Sequence, residues 1–282
     1  MMDAQPLLLL LGGSFNPPHS GHMRVALETA EFLNPEKVLF IPNAVPPHKS
    51  EKNLLSFEFR CAMLRAAIAD MGSFFDYSVN EVENERQGPS YTFETLKTLA
   101  ERNPEKRLAF VMGSEDYTRL DSWRMWKELP EYADLIVVPR NTDDPDIFRR
   151  TSQSLWSEAR EMPILNYRTS NADGRGNKAP GAAPAGVKPC PAEAETGNCS
   201  REEYIERETA QALILPHGGR LLYLPQPRLE ISSSLVRERL IAGRSLDFLV
   251  PPGILKLLYD NLESVKETWK TTNAAVACCA KS

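Results

Sequence analysis

The sequence predicts an α/β protein in which a parallel β-sheet carries helices on both faces, in a single domain with a flexible insertion. Three observations support this prediction. Short apolar runs of strand length alternate along the chain with longer segments of helical spacing. The first apolar run ends in a Gly-Gly pair that leads into a helical segment, as in a strand–turn–helix unit. One segment in the second half lacks large apolar side chains and interrupts the alternation.

Six apolar runs are expected to form the sheet. They are Leu7–Leu11, Lys37–Ile41, Tyr77–Val82, Arg107–Met112, Leu135–Val138 and Arg220–Leu224. Because helical segments separate most of them, these strands are expected to lie parallel to one another. In parallel sheets, ligands bind beyond the carboxyl ends of the strands, so the loop after the first strand lies at the expected binding edge.

Four segments between these runs have the spacing of amphipathic helices. They are Gly21–Leu33, Ser56–Met71, Tyr91–Arg102 and Trp123–Leu129. In the second of them, Phe59, Met63 and Ala67 recur every fourth residue, as one buried face of a helix requires. Strands and helices in this order predict a Rossmann-like α/β fold.

One domain is expected over residues 1–265, interrupted by a low-complexity insertion at about 171–200. The insertion is rich in Gly, Pro and Ala, so it buries too little apolar surface to offset the entropy lost on ordering. Its flanks, residues 145–170 and 201–215, are expected to be more helical. Residues 266–282 are expected to form a flexible C-terminal tail.

The composition excludes several classes of protein. The chain of 282 residues has a net charge of −5, which disfavours a general nucleic-acid-binding surface. Its apolar runs are far shorter than the roughly 18 residues that span a membrane. Its five cysteines form no C-x-x-C pair, so neither a zinc site nor a disulfide framework is expected. A reduced, cytoplasmic setting is the expectation.

The loop after the first strand carries the strongest functional signal. Residues 12–22 have the sequence Gly-Gly-Ser-Phe-Asn-Pro-Pro-His-Ser-Gly-His, which includes two of the four histidines of the chain. Free N–H groups of the glycine turn and of the following helix start favour anions such as phosphates. The loop lacks the P-loop pattern and the G-x-G-x-x-G dinucleotide pattern. It therefore predicts a different phosphate site, in which His19 and His22 donate to phosphoryl oxygens.

Residues 12–22 resemble the first signature of the nucleotidyltransferases that adenylate small phosphorylated molecules, with Asn16 where that family often has aspartate. Ile231–Arg237, with the sequence Ile-Ser-Ser-Ser-Leu-Val-Arg, is similar to their second signature. Between the two, segments 41–49 and 89–92 resemble those of bacterial nicotinate-nucleotide adenylyltransferases. The resemblance covers residues 6–140 and 219–262.

The resemblance implies that an acceptor phosphate attacks the α-phosphorus of ATP and releases pyrophosphate. It implies ATP and nicotinate mononucleotide as substrates. It also implies Mg²⁺ as a cofactor bound through the ATP phosphates, with no metal ligands from the chain. The catalytic residues it implies are His19, His22 and Arg237. The ATP-binding residues it implies are Gly13, Ser14, Phe15, Lys49, Gly113, Ser232 and Ser233.

The resemblance also implies a site for the mononucleotide, formed by Thr92, Glu115 and Trp123. Arg140, which follows the fifth strand, is expected to add charge near the mononucleotide phosphate. Trp123 is expected to stack on the cationic pyridine ring, with Trp126 as the alternative. Backbone N–H groups near Thr92 and Arg124 are expected to bind the nicotinate carboxylate. Where the family has Gly-x-Asp, this chain has Gly113-Ser114-Glu115-Asp116, so Glu115 and Asp116 are both candidates for the ribose hydroxyl.

The sequence therefore predicts nicotinate-nucleotide adenylyltransferase activity in NAD synthesis. Within the same class, the alternatives are an enzyme that prefers the amidated mononucleotide or phosphopantetheine, the latter lacking a ring to stack on Trp123. A nucleotide-binding regulatory module that has lost catalysis is the alternative outside the class, and the presence of His22 and Arg237 disfavours it. Neither nucleic acid nor membrane is an expected partner. The oligomeric state is left open, a homo-oligomer included.

Overall fold

The predicted parallel sheet is present and extends further than the sequence indicated. The computed structural model describes residues 5–46, 53–139, 145–164, 210–216, 218–227 and 229–270. The strands in these residues are β1 (Leu7–Gly13), β2 (Lys37–Pro42), β3 (Tyr77–Val79), β4 (Arg107–Gly113), β5 (Asp134–Val138), β6 (Arg160–Met162), β7 (Gln211–Ile214) and β8 (Arg220–Tyr223). They form one sheet in the order β3-β2-β1-β4-β5-β8-β7-β6.

The helices in the described ranges surround this sheet. They are α1 (Ser20–Leu33), α2 (Phe57–Asp70), α3 (Thr92–Arg102), α4 (Ser114–Tyr117), α5 (Leu129–Tyr132), α6 (Pro145–Leu155), α7 (Ser233–Ile241), α8 (Pro252–Asp260) and α9 (Leu262–Lys270). Two of them begin at a serine whose hydroxyl accepts a backbone N–H of the first turn. These caps are Ser56 for α2 and Ser232 for α7. None of the helices in the described ranges is long and apolar enough to cross a membrane.

The leucines of β1 show why the sheet needs helices on both faces. Leu7, Leu9 and Leu11 belong to one apolar cluster, together with side chains of α1, α2, α7, α8 and α9. Leu8 and Leu10 belong to a second cluster, with side chains of α3, α4, α5 and α6. All five leucines are at most 5% exposed. A strand that is apolar on both faces is typical of a buried parallel sheet. The prediction of fold class is confirmed.

The order of the strands places the candidate site. β1 pairs in parallel with β2 on one side and with β4 on the other. The chain thus winds outward in opposite directions from β1 and β4, which makes their boundary a topological switch point. The loops after these strands, at Gly13 and at Gly113, open at the same edge. Ligands of open α/β sheets bind in the crevice at such a point.

Two predicted boundaries are wrong. The segment Trp123–Leu129 is not one helix but includes a short 3₁₀ turn, Trp126–Glu128, before α5 begins at Leu129. Met125 just before this turn has a positive φ of 53°, which a continuous α-helix does not accommodate. The strand expected over Tyr77–Val82 ends at Val79, and a 3₁₀ turn begins at Val82.

The far edge of the sheet also differs from expectation. In the flanks that were expected to be more helical, α6 is helical, but Arg160–Met162 and Gln211–Ile214 are strands. β7 pairs antiparallel with β8, and β6 pairs antiparallel with β7. β7 depends on β8 as its hydrogen-bonded neighbour, and β6 depends on β7. No local pattern of three or four residues reveals such a partner.

The expected flexible tail starts too early at residue 266. α9 continues to Lys270, and Val265 and Trp269 are buried in the same cluster as Leu9. The amphipathic face that carries these two side chains is long enough to pack on the domain, which orders the segment. The insertion at 171–200 and the residues from 271 onward lie outside the described residues.

Candidate active site

The glycine turn, defined here as residues 12–16, leaves β1 at the switch point. Phe15 within it has a positive φ of 46°, and its side chain is buried. Its ring packs edge-on against the ring of His22, with centroids 5.0 Å apart. A Cβ atom on Gly13 would lie 3.2 Å from the Phe15 ring, which explains the glycine at that position. The turn therefore folds its own aromatic side chain under the backbone.

The two histidines meet at the start of α1. His19 is the N-cap residue and is 4% exposed, whereas His22 is half-buried. The rings lie with centroids 3.7 Å apart, and His22 Nδ1 accepts the His19 backbone N–H at 3.2 Å. Because Nδ1 is an acceptor, the proton of neutral His22 is assigned to Nε2. In that tautomer the N–H of His22 lies on the other side of the ring, and its role as a phosphate ligand stays a prediction.

The absence of a side chain at Gly21 leaves space for the His19 ring. A Cβ atom on Gly21 would lie 3.0 Å from His19 Nδ1 and 3.1 Å from His19 Cε1. Contacts of that length force the imidazole to move by a few tenths of an ångström. The glycine of the H-x-G-H pattern is therefore explained by the packing of the first histidine.

Replacing Gly21 with alanine should displace His19 and lower kcat/KM for the predicted adenylyl transfer by about tenfold. Small misplacements of groups in such sites have large kinetic effects. Steady-state kinetics and thermal melting of the purified variant measure this effect. Arg24→Ala, on the exposed side of the same helix, is the control and should keep its activity. Normal kcat/KM in the Gly21→Ala protein would contradict this account of the glycine.

The second signature lies against the first. Ser233 Oγ at the start of α7 donates to the Pro17 carbonyl at 2.8 Å. Arg237, one turn further along, donates from Nη1 to the Asn16 carbonyl at 2.7 Å. Burial lowers the pKa of the Arg237 guanidinium, which still remains charged at neutral pH. The structure therefore brings the two signature segments together, with a cation at the glycine turn.

Asn16 shows what the change from the family's usual aspartate does. Its Nδ2 donates to the Asn53 carbonyl at 2.6 Å, and its Oδ1 accepts the Leu55 N–H at 3.1 Å. An aspartate would place an oxygen against the Asn53 carbonyl and could not donate there. The amide therefore matches the backbone just before α2.

Two of the predicted acceptor segments, at Thr92 and at Trp123, meet at the start of α3, of which Thr92 is the first residue. The Arg124 guanidinium lies 4.9 Å from the centroid of the Tyr91 ring and forms an ion pair with Glu94 at 3.4 Å. The segment that follows Trp123 therefore packs against the first turn of α3. The structure thus brings the Thr92 and Trp123 segments together.

The two candidate tryptophans differ in their neighbours. Trp123 packs edge-on against Phe110 of β4, with ring centroids 6.5 Å apart. Phe110 in turn borders Gly12, where a Cβ atom would lie 3.1 Å from its ring. Trp126 instead packs against Trp156, at 5.0 Å. Of these two tryptophans, Trp123 is therefore the one beside the switch point between β1 and β4.

The remaining predicted residues are placed as follows. Gly113 ends β4 and caps α4, in which Glu115 is exposed and Asp116 half-buried. The choice between these two carboxylates stays a prediction. Lys49 and Arg140 lie outside the described residues, so their roles stay predictions as well.

Sequence reasoning missed a buried polar network beneath the site. Glu83 is 4% exposed and accepts the Asn43 Nδ2 amide at 3.1 Å and the Thr95 hydroxyl at 2.9 Å. Ser90 Oγ accepts the backbone N–H of Ala44 at 3.1 Å. These bonds tie the end of β2 to α3. Glu83 stands in the polar run of residues 83–87, so no local pattern indicated that it would be buried.

The chemistry of the site suits an anion. The side chains gathered at the glycine turn include the His19 and His22 imidazoles and the Arg237 guanidinium, which can donate hydrogen bonds. The described residues contain no group of three or more His, Cys, Asp or Glu that could hold a metal ion. A phosphate site at this crevice stays the prediction.

At the switch point of this Rossmann-like sheet, α1 begins with the H-x-G-H sequence and the serine-capped helix α7 lies against it. This combination defines a nucleotidyltransferase. The chain belongs to the cytidylyltransferase-like family, whose profile matches residues 10–239.

Two curated relatives are both called "Probable nicotinate-nucleotide adenylyltransferase". The protein from Pelobacter propionicus is 32% identical over 87% of this chain and 92% of its own length. The protein from Syntrophotalea carbinolica is 30% identical over 89% and 93%.

Among solved structures, the chain shares its fold with Plasmodium falciparum nicotinic acid mononucleotide adenylyltransferase complexed with NaAD. The TM-score is 0.59 at 16% identity, with 92% of this chain and 98% of that chain covered.

Proposed function

We propose that this site transfers the adenylyl group of ATP to nicotinate mononucleotide, giving deamido-NAD and pyrophosphate in NAD biosynthesis. The observation that carries the proposal is the direct contact between the two signature segments, through Ser233 with Pro17 and Arg237 with Asn16. The curated relatives, which match over most of both lengths, support the same activity.

In the proposed reaction, an oxygen of the acceptor phosphate forms a bond to the α-phosphorus of ATP. The bond from that phosphorus to the bridging oxygen breaks, and pyrophosphate leaves with the electron pair. Both reactants are anions, so the chain's role is to hold them together and to stabilise the charge that grows on the leaving group. No covalent intermediate with the protein is required.

The donors around the glycine turn fit that role. His22 Nε2 and the Arg237 guanidinium are proposed to donate to the triphosphate, together with N–H groups of Gly13, Ser14 and Phe15. His19 is proposed to bind beside His22, since their rings are in contact. Ser232 and Ser233 place the start of α7, with its partial positive charge, at the same anion. Lys49 and Gly113 are proposed as further ATP-binding residues.

Mg²⁺ is proposed to enter bound to the ATP phosphates. The donor set of the site suits this, because Mg²⁺ prefers oxygen ligands and the chain presents nitrogen donors there. When bound, the ion would neutralise charge on the phosphate oxygens.

The acceptor is proposed to lie between α3 and Trp123. The Trp123 ring offers a face for a cationic pyridine, and the N–H groups at the first turn of α3, beginning at Thr92, are suited to a carboxylate. Glu115 or Asp116 is proposed to bind the ribose, and Arg140 the mononucleotide phosphate.

The acid mononucleotide should be preferred over the amide, because an amide N–H₂ would face the same backbone N–H donors and leave them unpaired. Such a mismatch costs about 1–3 kcal/mol, which is roughly 5-fold to 150-fold in kcat/KM. Pyrophosphate release from ATP is measured with nicotinate mononucleotide, nicotinamide mononucleotide and phosphopantetheine, each offered separately.

A higher kcat/KM with the amide or with phosphopantetheine would assign a different acceptor. If the protein binds ATP but releases pyrophosphate with none of the three acceptors, it is a regulatory module instead.

A further inference from the structure

Arg60 of α2 is a buried cation beneath the glycine turn and has no role in the reaction described above. Its side chain is 0% exposed. Nη1 donates to two carbonyls, that of Ser14 at 2.9 Å and that of Asn43 at 2.8 Å. Nε donates to the carbonyl of Leu55 at 3.0 Å. One guanidinium thus joins the turn after β1, the end of β2 and the residue just before the cap of α2.

The charge of Arg60 is held by backbone carbonyls. In the described part of the chain it forms no ion pair, and Glu58 and Glu83 act on it only as more distant charges. Burial lowers the pKa of the guanidinium, which still stays protonated at neutral pH. An arginine buried without a bonded carboxylate is uncommon and costly in a purely structural role. Here the positive charge lies directly under a turn that is suited to anions.

The bond to Ser14 determines the direction of the next N–H group. The Ser14 carbonyl and the Phe15 N–H belong to one trans peptide, in which they point in opposite directions. Arg60 binds the carbonyl from the interior, so the Phe15 N–H is directed away from the interior. A cation on the carbonyl also polarises the peptide and makes that N–H a stronger donor.

The turn needs such a restraint. Phe15 has a φ of 46°, a left-handed conformation that is unfavourable for any residue with a side chain. Rotation of the Ser14–Phe15 peptide would relieve it and turn the N–H inward. Arg60 holds the carbonyl on one side of Phe15, and Arg237 holds the Asn16 carbonyl on the other.

We propose that Arg60 is a positioning residue for adenylyl transfer, which holds the Ser14–Phe15 peptide so that the Phe15 N–H faces an ATP phosphate oxygen. Through Asn43 and Leu55 it also holds both ends of the connection between β2 and α2 against the glycine turn. This inference rests on the proposed function, since it assigns the turn to the phosphates of ATP.

The experiment compares Arg60→Met, which removes the charge and the donors, with Arg60→Lys, which keeps the charge but not the planar fork. Arg65→Met is the matched control, because Arg65 lies in the same helix, exposed and paired with Glu81. Arg60→Met should lower kcat/KM for ATP by about 10²-fold while changing the KM for the mononucleotide by less than about threefold. Arg60→Lys should recover part of the loss, and Arg65→Met should match the parent protein.

A kcat/KM for ATP within twofold of the parent in Arg60→Met would overturn the proposal. The proposal would also be overturned if KM rose equally for ATP and for the mononucleotide, in proportion to the fall in melting temperature. Such a result would indicate a structural role only. If Arg60→Met does not melt cooperatively, the same criteria are applied to Arg60→Lys.

If the parent protein releases no pyrophosphate with any acceptor, the proposed function fails and Arg60 is tested separately. Calorimetric affinity for a non-hydrolysable ATP analogue should then fall in Arg60→Lys and stay unchanged in Arg65→Met. Unchanged affinity in both would overturn the positioning role.

Discussion

Replacing His22 with alanine should lower kcat by about 10²–10³-fold while leaving the protein folded, because it removes a preorganised donor to charge that develops in the transition state. His22 is half-buried at the start of α1, and its Nδ1 accepts the His19 N–H, so the proposed donor to a phosphate is Nε2. Steady-state kinetics, with circular dichroism and thermal melting as checks of folding, measure the effect.

Two further variants separate the roles of the two ring nitrogens. In His22→Asn, the side-chain oxygen can still accept the His19 N–H, but the distal donor is lost. In His22→Gln, the amide nitrogen can take the place of Nε2. The glutamine variant should therefore retain more activity than the asparagine variant. A folded His22→Ala protein with near-normal kcat would remove His22 from the catalytic residues.

Replacing Arg237 with methionine should also lower kcat by about 10²–10³-fold, because a charged donor is removed from the leaving pyrophosphate. Arg237 is joined to the Asn16 carbonyl at 2.7 Å and to Ser234 Oγ at 2.9 Å, so its guanidinium is held at the glycine turn before ATP binds. Arg237→Lys keeps the charge but cannot donate from two guanidinium nitrogens at once, so it should show an intermediate loss of kcat.

The control for Arg237 is Arg239→Met in the same helix. Arg239 donates to the Ser245 carbonyl, away from the glycine turn. Its replacement should leave kcat within about twofold, since any loss falls on the stability of α7 and not on the donors at the glycine turn. Equal losses in the Arg237 and Arg239 variants would show that α7 acts only through its stability.

Most of the fold could be predicted because its signals are local. The leucines of β1 mark a strand that is buried on both faces, and helical spacing marked α1, α2 and α3 to within one residue at each end. The signals failed where a neighbour in space decides the conformation. The antiparallel strand β7 needs β8 as a partner and β6 needs β7, and Met125 with its positive φ ends a pattern that looked helical.

By itself, the sequence determined the class of chemistry. Glycines, two histidines and a helix start within residues 12–22 predict a phosphate site by local geometry, and the family assignment made from the motifs is confirmed. Only the tertiary structure decided how the parts of the site meet. Arg237 and Asn16 are 221 residues apart and joined by one hydrogen bond. Arg60 belongs to an apolar helical pattern, and only folding brings three carbonyls to it. A buried charge is stable only with such partners, and residues distant in sequence, Ser14 and Asn43, supply two of the three.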